Sequence, residues 1–315
     1  MNRKYQHKVL LSMICAIVAA CHKSEPLSPA SYSCHPIAND SSHNHPHHQK
    51  YTHLLSELTQ KGVPGITMSI HTPQGGTWIG AAGKADLYNK IAFQPCNITR
   101  VGSTVKMFTA TTILILAEEG KVKLSDPISK YLPQTVLSTL KNANQSTIQQ
   151  LLNHSSGIYN YIQNLQFQTG SLNDLPKIWQ PEELLAYAQN KPAYFAPGSD
   201  SKYSNTNYIL LGMLIEALEK KPFFKVFKEK LFKPLGLQYT RFAAEDPIPP
   251  GLVKGYIDLY GKLQLTESTY YSGWDYYTAD GGLISTPYDL MQFLRALMDG
   301  KIISQENLDT MLTWN

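Results

Sequence analysis

Ser103-Thr-Val-Lys106 opens a run, Met107-Phe-Thr-Ala-Thr-Thr-Ile-Leu-Ile-Leu-Ala117, that is apolar on nearly every side. A serine and a lysine three apart share one face of a helix. There the ammonium can sit against the hydroxyl and help remove its proton. Gly102 precedes the serine and Gly120 supplies a C-terminal stop. A helix apolar all round is normally buried in the middle of a domain, and its N-terminus favours a developing negative charge. Lys106, one turn in, is expected to be partly withdrawn from water. As a plain alternative, Ser103 could serve only as an N-cap.

Two other Ser-x-x-Lys pairs occur, Ser138/Lys141 and Ser199/Lys202. The first lies in a polar stretch, and the second follows Pro197-Gly198 in a predicted turn, where no helix can hold lysine over serine. Downstream, Tyr203-Ser-Asn205 is the only Tyr-x-Asn in the sequence. Ser103, Lys106 and Tyr203 together suit serine acyl transfer in which lysine and tyrosine move the proton.

Around this nucleus the chain is that of an ordinary globular protein. Its 315 residues carry 43% apolar and 17% charged side chains and a net charge of +4, enough for a large core. Lysines read as scattered, so no nucleic-acid partner is expected. His53-Leu-Leu-Ser-Glu-Leu predicts a short helix with Leu54, Leu55 and Leu58 on one side. Gly65–His71 and Thr77–Gly83 predict two strands across the turn Pro73-Gln-Gly-Gly76. From Ser103 onward helices dominate. Thr147-Ile-Gln-Gln150 has the form of a capping box. Phe223, Phe224, Phe227, Leu231 and Phe232 form a stripe stopped at Pro234-Leu-Gly236, and Phe293, Leu294, Leu297 and Met298 form another, ended by Gly300. Strands first and helices after, without βαβ alternation, give an α+β fold.

The N-terminus reads as an address. Asn2 to Lys8 is basic, Val9 to Ala20 is apolar, and Val18-Ala-Ala-Cys21 resembles a bacterial lipobox. The expectation is a signal peptide over 1–20 and lipidation at Cys21, with an ordinary secretory signal as the alternative. Either way the protein is exported, to the periplasm or cell surface, and the lipid would anchor it to the membrane. Residues 21–49 read as a disordered His/Ser/Pro tether before a domain spanning 50–315. Its histidines His43, His45, His47 and His48 read as a solvated linker, with transient metal binding as the alternative. Cys34 and Cys96 could pair or remain free thiols.

Several stretches, in order, resemble the penicillin-recognising serine hydrolases: the branch of class C β-lactamases, D-alanyl-D-alanine carboxypeptidases and related esterases. They are Val101–Thr109, Ala117–Pro133, Ile148-Gln-Gln-Leu-Leu-Asn-His-Ser-Ser-Gly157, Phe195–Gly198 through Tyr203–Gly212, Pro234-Leu-Gly-Leu, and Ala279-Asp-Gly-Gly-Leu-Ile-Ser-Thr-Pro-Tyr-Asp-Leu290. The resemblance implies a mostly helical body packed on an antiparallel sheet. It implies Ser103 as nucleophile, Lys106 as its proton partner, Tyr203 as second general base or acid, and Asn205 as a hydrogen-bonding partner of the substrate. No cofactor and no metal are implied. His154 reads as structural. The expected substrate is a D-Ala-D-Ala peptide of peptidoglycan, a β-lactam, or a related ester or amide, and the expected state a monomer. A catalytically silent lipoprotein with a binding or scaffold role is the alternative. The family's third motif, Lys-Thr-Gly or His-x-Gly, is not found after Tyr203, so the chain is expected to be incomplete at its C-terminus.

Overall fold

Two short sheets and a helical body frame the molecule. A computed structural model describes residues 32–34, 37, 42–174, 177–242, 249–262, 264–268 and 278–313. The signal segment and Cys21 lie outside them. Helix α1 (His48–Gln60) buries Leu55 and packs against strand β2. Strands β1 (Gly65–Thr72) and β2 (Gly76–Asp86) form the predicted hairpin, in a register that sets Gly65 opposite Gly83 and Thr72 opposite Gly76. Strand β3 (Ile91–Ala92) joins β2 after a register shift between Lys84 and Asp86.

The second sheet draws on distant parts of the chain. It is built from β4 (Thr99–Arg100) and β5 (Arg241–Phe242); β6 (Tyr256–Ile257) and β7 (Thr266–Glu267) form a separate ribbon; and β8 (Leu283–Ser285) lies between β4 and β5. This sheet places the entry to the central helix, because Val101 donates its N–H to the Leu283 carbonyl.

Helix α2 (Val105–Glu118) is that central helix, with Val105, Phe108, Ile113 and Leu116 fully buried. It has no glycine or proline inside to weaken it. It stops in a Schellman motif: Gly120, at φ +71°, donates to Ala117, and Lys121 donates to Leu116. Helix α3 (Ile148–Leu152) opens with the predicted capping box, Thr147 and Gln150 each bonding the other's backbone. Helix α4 (Asn205–Glu219) lies against α2 and α3. The phenylalanine stripe folds as Phe223–Phe227 followed by a π-helical turn, Lys228–Phe232, and Gly236 ends it at φ +65°. Helices α5 (Pro287–Met298) and α6 (Gln305–Leu312) close the described chain. The α5 stripe is narrower than expected: Phe293 and Leu297 are buried, whereas Leu294 and Met298 face solvent. Phe108 stacks on Phe293 with ring centroids 3.9 Å apart and meets Phe232 edge-on at 5.8 Å. Three elements therefore share one aromatic contact.

The tether expected over 21–49 is corrected in part. Ser42–Asn44 forms a helical turn, α1 already begins at His48, and the Ser42 hydroxyl accepts the Ile79 N–H. His45 is buried, near the rings of His47 and Tyr51, while His48 meets Trp78. His45 and His48 pack against the rings of Tyr51 and Trp78 rather than lying in a solvated linker, whereas His43 and His47 are exposed. Further upstream, Cys34 is disulfide-bonded to Cys96 across 62 residues. Tyr32 donates to Asp86, and Asn97 donates to the Tyr32 carbonyl. Burial alone would raise the Asp86 carboxyl. Hydrogen bonds from Asn89 and Tyr32 and the Lys254 charge outweigh it, holding the group well below the usual carboxylate range.

Two stability predictions follow from these contacts. Phe108→Ala should cost about 3–5 kcal/mol in urea unfolding, because it opens a cavity under Phe293 and Phe232. Replacing Cys34 and Cys96 by serine should lower stability by about 2–4 kcal/mol, measured by the same unfolding experiment with and without reductant.

Candidate active site

Gly102 turns the chain at φ +51°, a conformation natural to glycine, so that a short 3-10 turn, Gly102–Thr104, leads into α2. Ser103 lies in this turn, exposed to solvent. Thr104, not Ser103, holds the N-cap position of α2, and it makes no side-chain cap bond. The capping alternative for Ser103 therefore falls. In the first turn of a helix the backbone N–H groups lack intrahelical acceptors and carry partial positive charge.

Lys106 is only 6% exposed. Its Nζ donates to Ser103 Oγ at 3.0 Å and to the Asp280 carbonyl at 2.6 Å. It also sits 5.1 Å from the ring centroid of Tyr203 and 5.5 Å from that of Tyr208, within cation–π range. From one hundred residues away, Tyr203 donates its hydroxyl to the same Ser103 Oγ at 2.9 Å. Two donors thus converge on one hydroxyl oxygen, which is the arrangement that stabilises an alkoxide.

The Ala279–Asp280 segment completes the wall behind Lys106. Thr109 Oγ1 donates to the Ala279 carbonyl at 2.6 Å, and Tyr161 donates to Asp280 Oδ2 at 3.0 Å. A Cβ on Gly212 would come within 2.7 Å of the Ala279 Cβ, so glycine there lets α4 approach the segment closely. Thr109, Tyr161 and Asp280 were not singled out as site residues in the sequence. The signal available was the Ala279-Asp-Gly-Gly string, whose only visible role was resemblance.

Of the predicted residues, Ser103, Lys106 and Tyr203 are brought together. Asn205, at the start of α4, is buried, and its side-chain amide donates to Asn160 Oδ1 at 3.4 Å. Ser138 ends the short helix Gln134–Leu137, and Ser199 Oγ turns to the Ala196 carbonyl. His154 is half-buried beside Tyr203. Burial first, and then the nearby Lys106 charge, lower its pKa from 6.5 to about 4. Burial, reinforced by Tyr203, pushes the Tyr208 phenol above its ordinary value. Among the described residues, no group of three or more His, Cys, Asp or Glu is placed to hold a metal ion. None of their helices is long and apolar enough to cross a membrane.

A cavity of about 410 Å³ starts at Lys106 and runs along α2 past Met107, Ala110 and Leu114 to Met311. A larger one, about 750 Å³, lies among Phe224, Phe232 and Phe242, and Ser103 is not in its lining. Lys225, Lys228, Lys233 and Arg241 rim it, so the basic residues are less evenly scattered than the sequence suggests. Ser103 lines neither cavity; the smaller one touches the site through Lys106.

The beta-lactamase family profile matches residues 51–315. The chain belongs to the beta-lactamase family. This beta-lactamase-family chain is 29% identical over 265 residues to the penicillin-binding-protein-like PbpX of Bacillus subtilis (strain 168), covering 84% of the chain and 62% of PbpX. It is 27% identical to Protein flp of Staphylococcus aureus (strain N315), covering 78% of the chain and 48% of flp. It therefore spans about half of one relative's length and less than two thirds of the other's. Among solved structures, a D-stereospecific amidohydrolase from Streptomyces sp. superimposes with a TM-score of 0.76 at 32% identity, covering 85% of this chain and 78% of that one. A D-amino acid amidase from Ochrobactrum anthropi SV3, complexed with D-phenylalanine, gives 0.70 at 28% identity, covering 81% and 72%. The α+β, β-lactamase/DD-peptidase-like fold expected from the motifs is the observed one.

Two outcomes test the site's framework. Thr109→Val keeps the shape but strands the Ala279 carbonyl, and should cost about 1–3 kcal/mol in urea unfolding. The second concerns pH. The unfolded chain protonates His154 near pH 6.5 and the folded chain near 4. Between those values the unfolded chain holds more proton, so stability falls as pH drops through that window. His154→Asn removes this contribution, and its urea midpoint should decline less than the wild type's between pH 7 and pH 4.

Proposed function

We propose that this chain is an exported serine hydrolase that works through an acyl-enzyme on Ser103. The observation that carries the reading is the convergence of Lys106 Nζ and Tyr203 OH on Ser103 Oγ, at 3.0 and 2.9 Å. With Lys106 in its amine form, Ser103 Oγ attacks the carbonyl carbon of an amide, ester or β-lactam, and its proton passes to the Lys106 nitrogen, which shares it with the Tyr203 oxygen. The backbone N–H of Ser103 itself is the donor we assign to the developing oxyanion, with the N-terminal end of α2 behind it. The pair then returns a proton to the leaving nitrogen or oxygen as the carbonyl–heteroatom bond breaks. A water molecule, deprotonated by the same pair, releases the acyl group and regenerates Ser103.

For the acyl donor we infer a D-configured residue, as in D-Ala-D-Ala peptides, with β-lactams as structural mimics. The names of the two amidase neighbours support this class, since both are D-specific. Asn205 is the residue we assign to the substrate's amide group. Acylation of Cys21 would hold the enzyme at the membrane, close to peptidoglycan peptides.

Labelling tests the reading. A fluorophosphonate or a fluorescent penicillin should label one serine, and Ser103→Ala should abolish the label. Lys106→Ala should slow labelling by roughly 10²–10⁴-fold, the usual worth of a positioned proton carrier. A p-nitroanilide of D-alanine should acylate faster than its L-counterpart. Label that survives Ser103→Ala, or that maps to Ser138 or Ser199, would overturn the assignment. For the anchor, mass spectrometry of the mature N-terminus should find an acylated Cys21, and cleavage elsewhere would reject it.

A further inference from the structure

Tyr203 has no regular secondary structure to hold it. Residues 201–204 are neither helix nor strand, and the Tyr203 side chain is largely open to solvent. Yet its hydroxyl stands 2.9 Å from Ser103 Oγ. Something outside the segment must fix its direction.

The contacts around it converge on one residue. The His154 carbonyl accepts the Lys202 N–H at 3.0 Å, and His154 Nδ1 accepts the Ser204 N–H at 3.3 Å. The backbone N–H groups of the two residues that flank Tyr203, Lys202 and Ser204, are thus both tied to His154. The imidazole also lies against the phenol ring, centroids 4.5 Å apart and planes tilted by 38°. Its other neighbour is Tyr208, at 5.3 Å, whose hydroxyl is tied to the Leu152 carbonyl. His154 is therefore wedged between a fixed ring on α4 and the catalytic ring. Its backbone sits at φ +63°, a left-handed conformation uncommon for a residue with a side chain. Residues held this way persist only where the surroundings over-determine them, and they cluster at functional sites.

Resting on the acyl-enzyme reading above, we propose that His154 is a positioning residue for Tyr203, gripping the N–H groups of its two neighbours and seating its ring so that the hydroxyl points at Ser103. It touches neither the nucleophile nor the reacting atoms, so it acts through Tyr203 alone. The grip requires a neutral imidazole, because Nδ1 must accept. The ionisable groups facing the ring are Lys106 from α2, Tyr203 from the loop and Tyr208 from α4; the Lys202 ammonium is turned away, over the Tyr194 ring at 3.8 Å. Burial and the Lys106 charge keep the ring in the acceptor form at neutral pH.

Two substitutions separate the parts of the grip. His154→Asn offers a side-chain oxygen to the Ser204 N–H and tolerates a left-handed backbone, but it lacks the ring. His154→Phe keeps a ring and loses the acceptor. The readout is the rate of fluorophosphonate labelling of Ser103 in the full chain between pH 5 and pH 10, with the urea midpoint measured alongside. Each variant should label roughly 10–100-fold more slowly at neutral pH, the cost of a misaligned proton carrier. The pH profile of labelling, which reports the Lys106–Tyr203 pair, should shift. The sharper test is a cycle with Tyr203→Phe. If His154 works through the Tyr203 hydroxyl, adding His154→Asn to Tyr203→Phe should slow labelling no further. Two folded variants labelling at the wild-type rate would overturn the proposal, and so would effects that multiply in the double variant. A wild-type chain that never labels at Ser103 would overturn the acyl-enzyme reading and this proposal with it, whereas a labelled wild type with indifferent His154 variants would overturn this proposal alone.

Discussion

A lysine head group taken out of water needs hydrogen-bond partners for its N–H groups. Lys106 is in that position, and the architecture around it answers the demand. The Asp280 carbonyl and the Ser103 hydroxyl accept from it, and the faces of Tyr203 and Tyr208 cover it. None of these partners is local except the serine. The first comes from the loop before β8, the rings from the loop before α4 and from α4 itself. The second sheet exists in a minimal form, two or three residues per strand, yet it fixes where α2 begins and where the Asp280 loop ends.

The polar shell has a second layer with the same logic. Thr109 and Thr112 are buried in a helix that otherwise presents hydrocarbon. Thr112 satisfies itself on the Phe108 carbonyl one turn back, whereas Thr109 reaches across to the Ala279 carbonyl. Tyr161 lends its hydroxyl to the Asp280 carboxylate. A loop carrying two glycines is thereby held by groups from two separate elements, α2 and the turn at Tyr161. Pre-organisation of this kind costs stability at the loop and is offset by the stacked aromatic core beneath it, Phe108 on Phe293.

What could be read from the sequence were the features that chemistry writes locally. The Ser103–Lys106 spacing, the Thr147 capping box and the Gly120 and Gly236 stops each need only a few consecutive residues, the β1–β2 hairpin one contiguous stretch, and each is present in the fold. The missed features depend on residues far apart. Nothing near Lys106 announces that a carbonyl from position 280 will meet it. Nothing in a histidine-rich, proline-bearing leader announces that Trp78 and Tyr51 will turn it into a packed segment. The α5 stripe was drawn too wide because periodicity marks a face but not how much of that face finds a partner; Leu294 and Met298 found none that buries them. The π-helical turn at Lys228–Phe232 leaves no sequence signature distinct from an α-helix.

The clasp between Cys34 and Cys96 sets a geometric limit on where such an enzyme could work. Only thirteen peptide steps separate Cys21 from Cys34, and a fully extended chain of that length reaches about 45 Å. If the cysteine at 21 carries the lipid, the catalytic body would be a dog on a short leash. It could sweep a shell of the cell wall next to the membrane and leave more distant strands untouched.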